Sequence, residues 1–239
     1  MATDYASTAE AADPYCLRAG EAKALLAGHP WCRFAVLGDS VASGVGDPID
    51  GYATMGWTDR IAAELRFHRP DLEYLNLGER DLRAAQVRER QLAPARAFGP
   101  DLTLVACGGN DALRPRYDAE AVDRELAAII TALMEIGAAV VTISVVAVSE
   151  YPAFPVWFRP VATNRMRLLA RHTNKVAAAF RTIHADLSEH PIGSLPQEQL
   201  LSRDGLHANA RSHAICAAEA IRSIGARLGN TFMPPPPRR

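Results

Sequence analysis

One short stretch limits what this chain can fold into more than any other: Arg33-Phe34-Ala35-Val36-Leu37-Gly38-Asp39-Ser40-Val41-Ala42-Ser43-Gly44. An apolar run stops abruptly at Gly, Asp and Ser. A buried parallel strand ends this way at the carboxyl edge of a sheet, where α/β proteins place their ligands. A Ser at that point faces the mouth of a pocket. Taken alone, the same residues also read as a loop whose Asp and Ser cap a helix. The rest of the chain has to decide.

Taken in order, the hydrophobic pattern switches repeatedly between strand and helix periods. Residues 1–30 are Ala-rich and weakly patterned, and read as a partly ordered N-terminal extension with a short helix at 21–27. Strands are expected at 33–37, 72–77, 101–107, 138–148 and 182–187. Helical spacing falls at 56–69, 81–97, 118–136, 161–180 and 208–228. Pro70 stops the first of these helices, and Pro94 is expected to bend or end the second. Residues 101–107 form a continuous apolar run, as in a strand buried on both faces. Strands and helices alternate with no internal repeat. The expected fold is α/β, a three-layer α/β/α sandwich around a mostly parallel five-stranded sheet with right-handed crossovers. It occupies residues 31–229, and a Pro-rich tail at 230–239 is expected to be disordered.

Composition narrows the partner classes. With 239 residues, 49% of them hydrophobic, the chain can bury one sizeable core. A net charge of -1 supplies no basic field for nucleic acid and no polybasic segment for anionic lipid. Residues 138–148 are too few to span a bilayer and include Thr142 and Ser144, so no membrane insertion is expected. The N-terminus carries Asp4, Glu10 and Asp13 and no apolar core of a secretory signal. Cys16, Cys32, Cys107 and Cys216 are scattered, which suits neither a zinc site nor a disulfide framework. They read as reduced thiols of a cytoplasmic protein. The loop with Gly44, Gly46 and Gly51 lacks the lysine of a phosphate loop, and there is no G-x-G-x-x-G, so no nucleotide cofactor is expected.

Polar residues gather where predicted strands end. Ser40, the Asn76 turn, Asn110 and the turn from Asp204 to His207 would share one edge of the sheet. Acyl transfer needs a nucleophile, a base, a group that holds the base, and donors for the oxyanion. Ser40 is the candidate nucleophile and His207 the candidate base. Asp204, three residues earlier, can hold the imidazole. The Asn110 side chain and the Ser40 backbone N–H are candidate oxyanion donors. Each piece also has a plain reading. Asp204 caps the last helix, Gly108-Gly109-Asn110-Asp111 is a turn, and His207 is a surface histidine like His29, His68, His172 and His213. The loop 151–160 holds three prolines and four aromatics. It reads as packing or as an apolar wall over substrate, with Tyr151, Phe154 and Trp157 facing the pocket. Gly78 and Asp111 complete the candidate pocket residues.

Together the blocks resemble one known family, the SGNH (GDSL) hydrolases, over about residues 33–228. Gly38-Asp39-Ser40, Gly108-Gly109-Asn110-Asp111 and Asp204-Gly205-Leu206-His207-Ala208-Asn209 stand in the family's order. The resemblance implies a flavodoxin-like fold and serine esterase, lipase, thioesterase or acyltransferase activity on a small-molecule acyl ester, with no metal. Carried over by position, Ser40, Asp204 and His207 form the triad and Asn110 is an oxyanion donor. The α/β-hydrolase motif Gly-x-Ser-x-Gly is absent.

One block departs. The family's second block resembles Asn-x-Gly-x-x-Gly, whose last Gly gives an N–H to the oxyanion. Here Asn76 and Gly78 match, but Asp81 stands where that Gly belongs. The backbone donor survives the change. A carboxylate about 6 Å from an oxyanion, at an effective dielectric of about 20, would oppose it by roughly 2.8 kcal/mol, about a hundredfold in rate. Asp81 is therefore expected to point away or to pair with Arg80 or Arg83. Other readings are that it contacts a cationic or hydroxyl group of the substrate, or that hydrolysis is weak. The leading expectation is a serine-dependent ester hydrolase. An acyltransferase or deacylase of a biosynthetic pathway is the alternative within the same chemistry. A non-catalytic binding module is the alternative outside it.

Overall fold

The computed structural model describes residues 8–148 and 150–233. Five parallel strands form one sheet: β1 (Arg33–Gly38), β2 (Glu73–Asn76), β3 (Leu102–Ala106), β4 (Ala139–Ser144) and β5 (Ile183–Asp186). Their spatial order is β2-β1-β3-β4-β5, every pair parallel. That is the flavodoxin-like order, and its direction of winding reverses between β1 and β3. β1 and β3 are buried nearly throughout, which is why both read as continuous apolar runs. Their register sets Phe34 beside Leu102 and Gly38 beside Ala106. The segments after Gly38 and after Ala106 therefore leave the sheet side by side, at the crevice where such folds bind ligands.

Eight α-helices lie among the described residues: α1 (Thr8–Ala12), α2 (Glu21–Leu25), α3 (Trp57–His68), α4 (Ala84–Phe98), α5 (Gly109–Ala112), α6 (Ala119–Met134), α7 (Arg159–Phe180) and α8 (Ala210–Leu228). Each long helix faces the sheet with one apolar stripe. In α6 the stripe is Val122, Leu126, Ile129, Ile130 and Leu133, at helical spacing. Asp118 caps its start by accepting the Ala121 N–H at 3.0 Å. Asn209 caps α8 in the same way, accepting from Ser212.

Most sequence boundaries hold within two or three residues. Pro94 neither ends nor divides α4; the helix forgoes one bond, to the carbonyl of Arg90, on its exposed face. The apolar run 138–148 is only partly strand. β4 stops at Ser144, and Val145–Val148 leave the sheet.

The N-terminal segment is fastened to the domain by largely buried ion pairs. Glu10 meets Arg60 at 2.6 Å, with about a tenth of either side chain exposed. Asp13 accepts from Arg211 at 2.7 Å and from the Tyr52 hydroxyl at 2.7 Å. Burial alone would raise the Asp13 pKa, but these donors outweigh it and hold the carboxyl below its ordinary value. The segment so fixes the loop around Tyr52, which follows the Ser40 turn. No helix among the described residues is long and apolar enough to cross a membrane. Of the tail, residues 234–239 lie outside the described residues, as do residues 1–7 of the extension.

Candidate active site

Ser40 sits two residues beyond the end of β1, at the reversal of the sheet. Gly38 makes the exit possible. Its φ is 151°, and a Cβ there would come within 1.9 Å of the Ala106 carbonyl oxygen. The chain then turns tightly. The Asp39 carboxylate accepts the Val41 N–H at 3.0 Å, and the Ser40 carbonyl accepts from the Ser43 hydroxyl and the Val45 N–H. The last two bonds use the carbonyl of Ser40. Its own N–H donates to no group among the described residues.

The turn after a short 3-10 helix at Gln197–Gln199 carries the second part of the site. An antiparallel bridge between Leu201 and Ala208 closes it. Within it, one Asp204 oxygen accepts the N–H groups of Leu206 and His207, each at 3.0 Å. The other accepts from His207 Nδ1 at 2.5 Å. The pair fixes which imidazole nitrogen carries the proton and leaves Nε2 free to act as a base. Burial would raise the Asp204 pKa. The His207 side-chain bond, then the His207 and Leu206 N–H bonds, overcome it and bring the carboxyl below its ordinary value. Asp204 is thus a carboxylate at neutral pH.

The third part follows β3. Asn110 lies in α5, a single turn, and its side-chain nitrogen donates to the Leu82 carbonyl at 3.0 Å. An amide nitrogen has two hydrogens, so one remains. Ser40, Asn110 and His207 line one cavity of about 120 Å³. Its other walls are mostly apolar, among them Val41, Trp57, Leu113, Val146, Met166 and Leu206, with Asp39, Ser212 and His213 as polar members.

The remaining candidates separate. Tyr151 lines the cavity. Gly78, Asp111, Phe154 and Trp157 do not, and each has another place. Gly78 packs so closely on Ser43 that a Cβ would lie 2.4 Å from the Ser43 nitrogen. Asp111 accepts the Ala84 N–H at 2.9 Å and so holds the start of α4. Phe154 packs edge-on against Phe158, and Trp157 is 76% exposed. The loop 151–160 is mainly a buttress rather than a wall. Its Ala153 N–H donates to the Gly205 carbonyl at 3.2 Å, inside the Asp204–His207 turn.

Asp81 is exposed and takes φ 66°, the left-handed conformation. Asp tolerates that region better than most residues, because its short polar side chain solvates the nearby backbone. This explains how it replaces a glycine there. The expected pairing with Arg80 or Arg83 is not made; Arg83 reaches Gln86 instead. The Asp81 N–H, like that of Ser40, has no acceptor among the described residues.

Several residues escaped the sequence reading. Gln91 of α4 is buried and bonds both backbone polar groups of Gly38. Val145, Val146 and Val148 line the cavity because β4 ends early. Of the histidines expected at the surface, His29 and His213 are 4% exposed, and His172 is paired with Asp123 at 2.6 Å. Burial pushes His213 down to about 4, so this cavity-lining imidazole is neutral at ordinary pH. Asp39 moves the other way. Burial first, then the charges of Asp111 and Asp81, push it up to about 7 against the bond from Val41. No sequence pattern carried these shifts, since they come from what packs around each group.

A doubly wound sheet, a buried Ser at its reversal and an Asp-held His on the same cavity are the arrangement expected of an ester hydrolase from the sequence blocks. The comparisons agree. Residues 36–215 match the GDSL-like Lipase/Acylhydrolase family, and the chain belongs to that family. No curated protein matches it by sequence. Among solved structures it is similar to Axe2, an acetylxylan esterase from Geobacillus stearothermophilus, with TM-score 0.65 and 15% identity over 81% of this chain and 94% of that one. It is also similar to LAE5, an alpha/beta hydrolase enzyme from the metagenome of Lake Arreo, with TM-score 0.65 and 16% identity over 81% and 95% of the two chains. At such identities the likeness speaks for the fold.

Proposed function

We propose that the chain hydrolyses a carboxylic ester of short or medium acyl length through an acyl-enzyme. Ser40 Oγ attacks the carbonyl carbon. His207 Nε2 takes its proton and returns it to the leaving alcohol, while Asp204 steadies the imidazolium. The Ser40 N–H, the Asp81 N–H and the Asn110 side chain stabilise the oxyanion. A water, deprotonated by His207, then attacks the acyl-Ser40 ester and releases the acid. The observation that carries this reading is that Ser40, Asn110 and His207 open on one apolar cavity while His207 is bonded to Asp204.

The cavity sets the acyl length. An apolar cavity of about 150 Å³ accepts a benzene-sized ligand, so about 120 Å³ suits a chain of a few carbons. Asp81 was the one support for a module without catalysis. Its N–H meets no acceptor among the described residues and is available as an oxyanion donor, which favours the catalytic reading. The test is hydrolysis of p-nitrophenyl esters graded from acetate to octanoate. The expected result is a maximum at short or medium chains and loss of turnover in Ser40→Ala. Full turnover in Ser40→Ala would refute the assignment.

A further inference from the structure

The net charge of the chain conceals a strong local imbalance. α7 carries Arg159, Arg165, Arg167, Arg171 and Lys175 and not one Asp or Glu in its 22 residues. Its exposed face runs Val161, Asn164, Arg167, Arg171, Lys175, a stripe at helical spacing. Arg167, Arg171 and Lys175 form no ion pair among the described residues. Arg165 reaches across to the carbonyls of Arg114 and Pro115, which brings exposed Arg114 and Arg116 to the same side. Its guanidinium also lies over the Phe158 ring, 5.7 Å from the centroid.

The loop entering this helix is apolar and outward-facing. Val156 is 73% exposed and Trp157 76%, and Val161 in the first turn of α7 is 38% exposed. Together they are the main exposed apolar group beside the site. The rim of the cavity is close by in the chain at both ends, since Tyr151 and Leu113 line the cavity and lead into Pro152 and Arg114.

We propose that α7 and the loop before it dock the enzyme on an anionic lipid surface. An unpaired basic helix face attracts anionic headgroups, and an exposed Trp with two Val side chains enters the boundary below them. A second copy of the chain is a poor occupant, because two-fold pairing would set this arginine-rich face against itself. Nucleic acid shares the charge but leaves the apolar group unused. Docking does not depend on the chemistry at Ser40. Only the delivery of a lipid-borne ester to the cavity rests on the proposed reaction.

The experiment is flotation of Ser40→Ala protein with vesicles of phosphatidylcholine, alone or with one third phosphatidylglycerol, while tryptophan emission is followed. Trp31 and Trp57 are buried, so Trp157 is the reporter. Binding is expected only to the anionic vesicles, with a blue shift that Trp157→Ser removes. Arg167→Gln and Arg171→Gln should each weaken binding about fivefold. Each of these substitutions placed in the wild-type chain should leave hydrolysis of a soluble p-nitrophenyl ester unchanged, which separates docking from catalysis. Failure to float with anionic vesicles would overturn the proposal. So would flotation indifferent to these substitutions, tighter binding to duplex DNA than to the vesicles, or a dimer in sedimentation that Trp157→Ser dissolves.

Discussion

Gln91 and Gly38 form a closed two-bond pair: Gly38 N–H donates to Gln91 Oε1 at 2.7 Å, and Gln91 Nε2 donates to the Gly38 carbonyl at 2.9 Å. β2 ends at Asn76, level with Val36. Beyond it, a side chain from α4 acts as a substitute strand residue for the end of β1. The same Gly38 carbonyl accepts the Glu79 N–H at 3.2 Å. The segment before Ser40 and the segment before Asp81 are thereby tied at one point.

Gln91→Leu would leave the Gly38 N–H buried and unpaired, at a cost of about 1–3 kcal/mol in stability. It should also lower kcat by about tenfold to a hundredfold with KM little changed, since misplacing a reacting group costs rate rather than binding. Urea denaturation and steady-state kinetics check both. Lost stability with an unaltered kcat would make Gln91 structural only.

Gly205 joins the Asp204–His207 turn to the loop 151–160. Its φ is 69°, and a Cβ would meet the Ala153 nitrogen at 2.7 Å and Pro152 Cβ at 2.8 Å. Gly205→Ala should cost at least about 1–2 kcal/mol from the left-handed conformation alone. Because the loop must also shift off the turn, kcat should fall further than stability requires. Thermal unfolding beside kinetics decides; a variant matching the wild type in both would show that the buttress is dispensable.

Asp39 makes stability depend on pH. Its folded pKa, raised to about 7, lies above the ordinary carboxylate value of about 3.9. The folded state therefore holds a proton that the unfolded state has released. Stability from this group is full below about pH 3.9 and is lost as pH rises toward 7. Asp39→Asn can still accept the Val41 N–H and has no such titration. The variant should gain on the wild type between about pH 4 and pH 7 and hold that gain above. Urea midpoints at about pH 5 and pH 8 test this. A difference that does not vary with pH would contradict the assigned burial of a charge.

Asp81 is exposed, so its carboxylate acts through water. At about 6 Å and a dielectric of about 80 it opposes an oxyanion by about 0.7 kcal/mol, about threefold in rate. Asp81→Asn keeps a residue that tolerates the left-handed conformation and should raise kcat by about that factor. A fall in activity toward particular esters would instead show that Asp81 reads the substrate.

The main architecture was legible because it rests on local patterns. β1 and β3 announced themselves as apolar runs ending in Gly, and the three motif blocks named the family. Expectation failed where tertiary packing decided. Nothing in an amphipathic helix distinguishes Gln91, whose role follows from β2 ending two residues before β1. Val145–Val148 continued the apolar run of β4 because a cavity wall needs the same residues as a buried strand. Trp157 looked like pocket lining, and only the fold shows it facing outward beside a helix without carboxylates. His213 and Asp39 were ordinary residues by sequence, and their altered protonation comes from the groups that cover them.

Whether Ser40 is an activated nucleophile is decided by intact-mass spectrometry after fluorophosphonate treatment. One adduct is expected on the wild-type chain, mapped to Ser40, with much slower labelling of His207→Ala and none on Ser40→Ala. An unlabelled, folded wild type, or an adduct that persists on Ser40→Ala, would contradict that role.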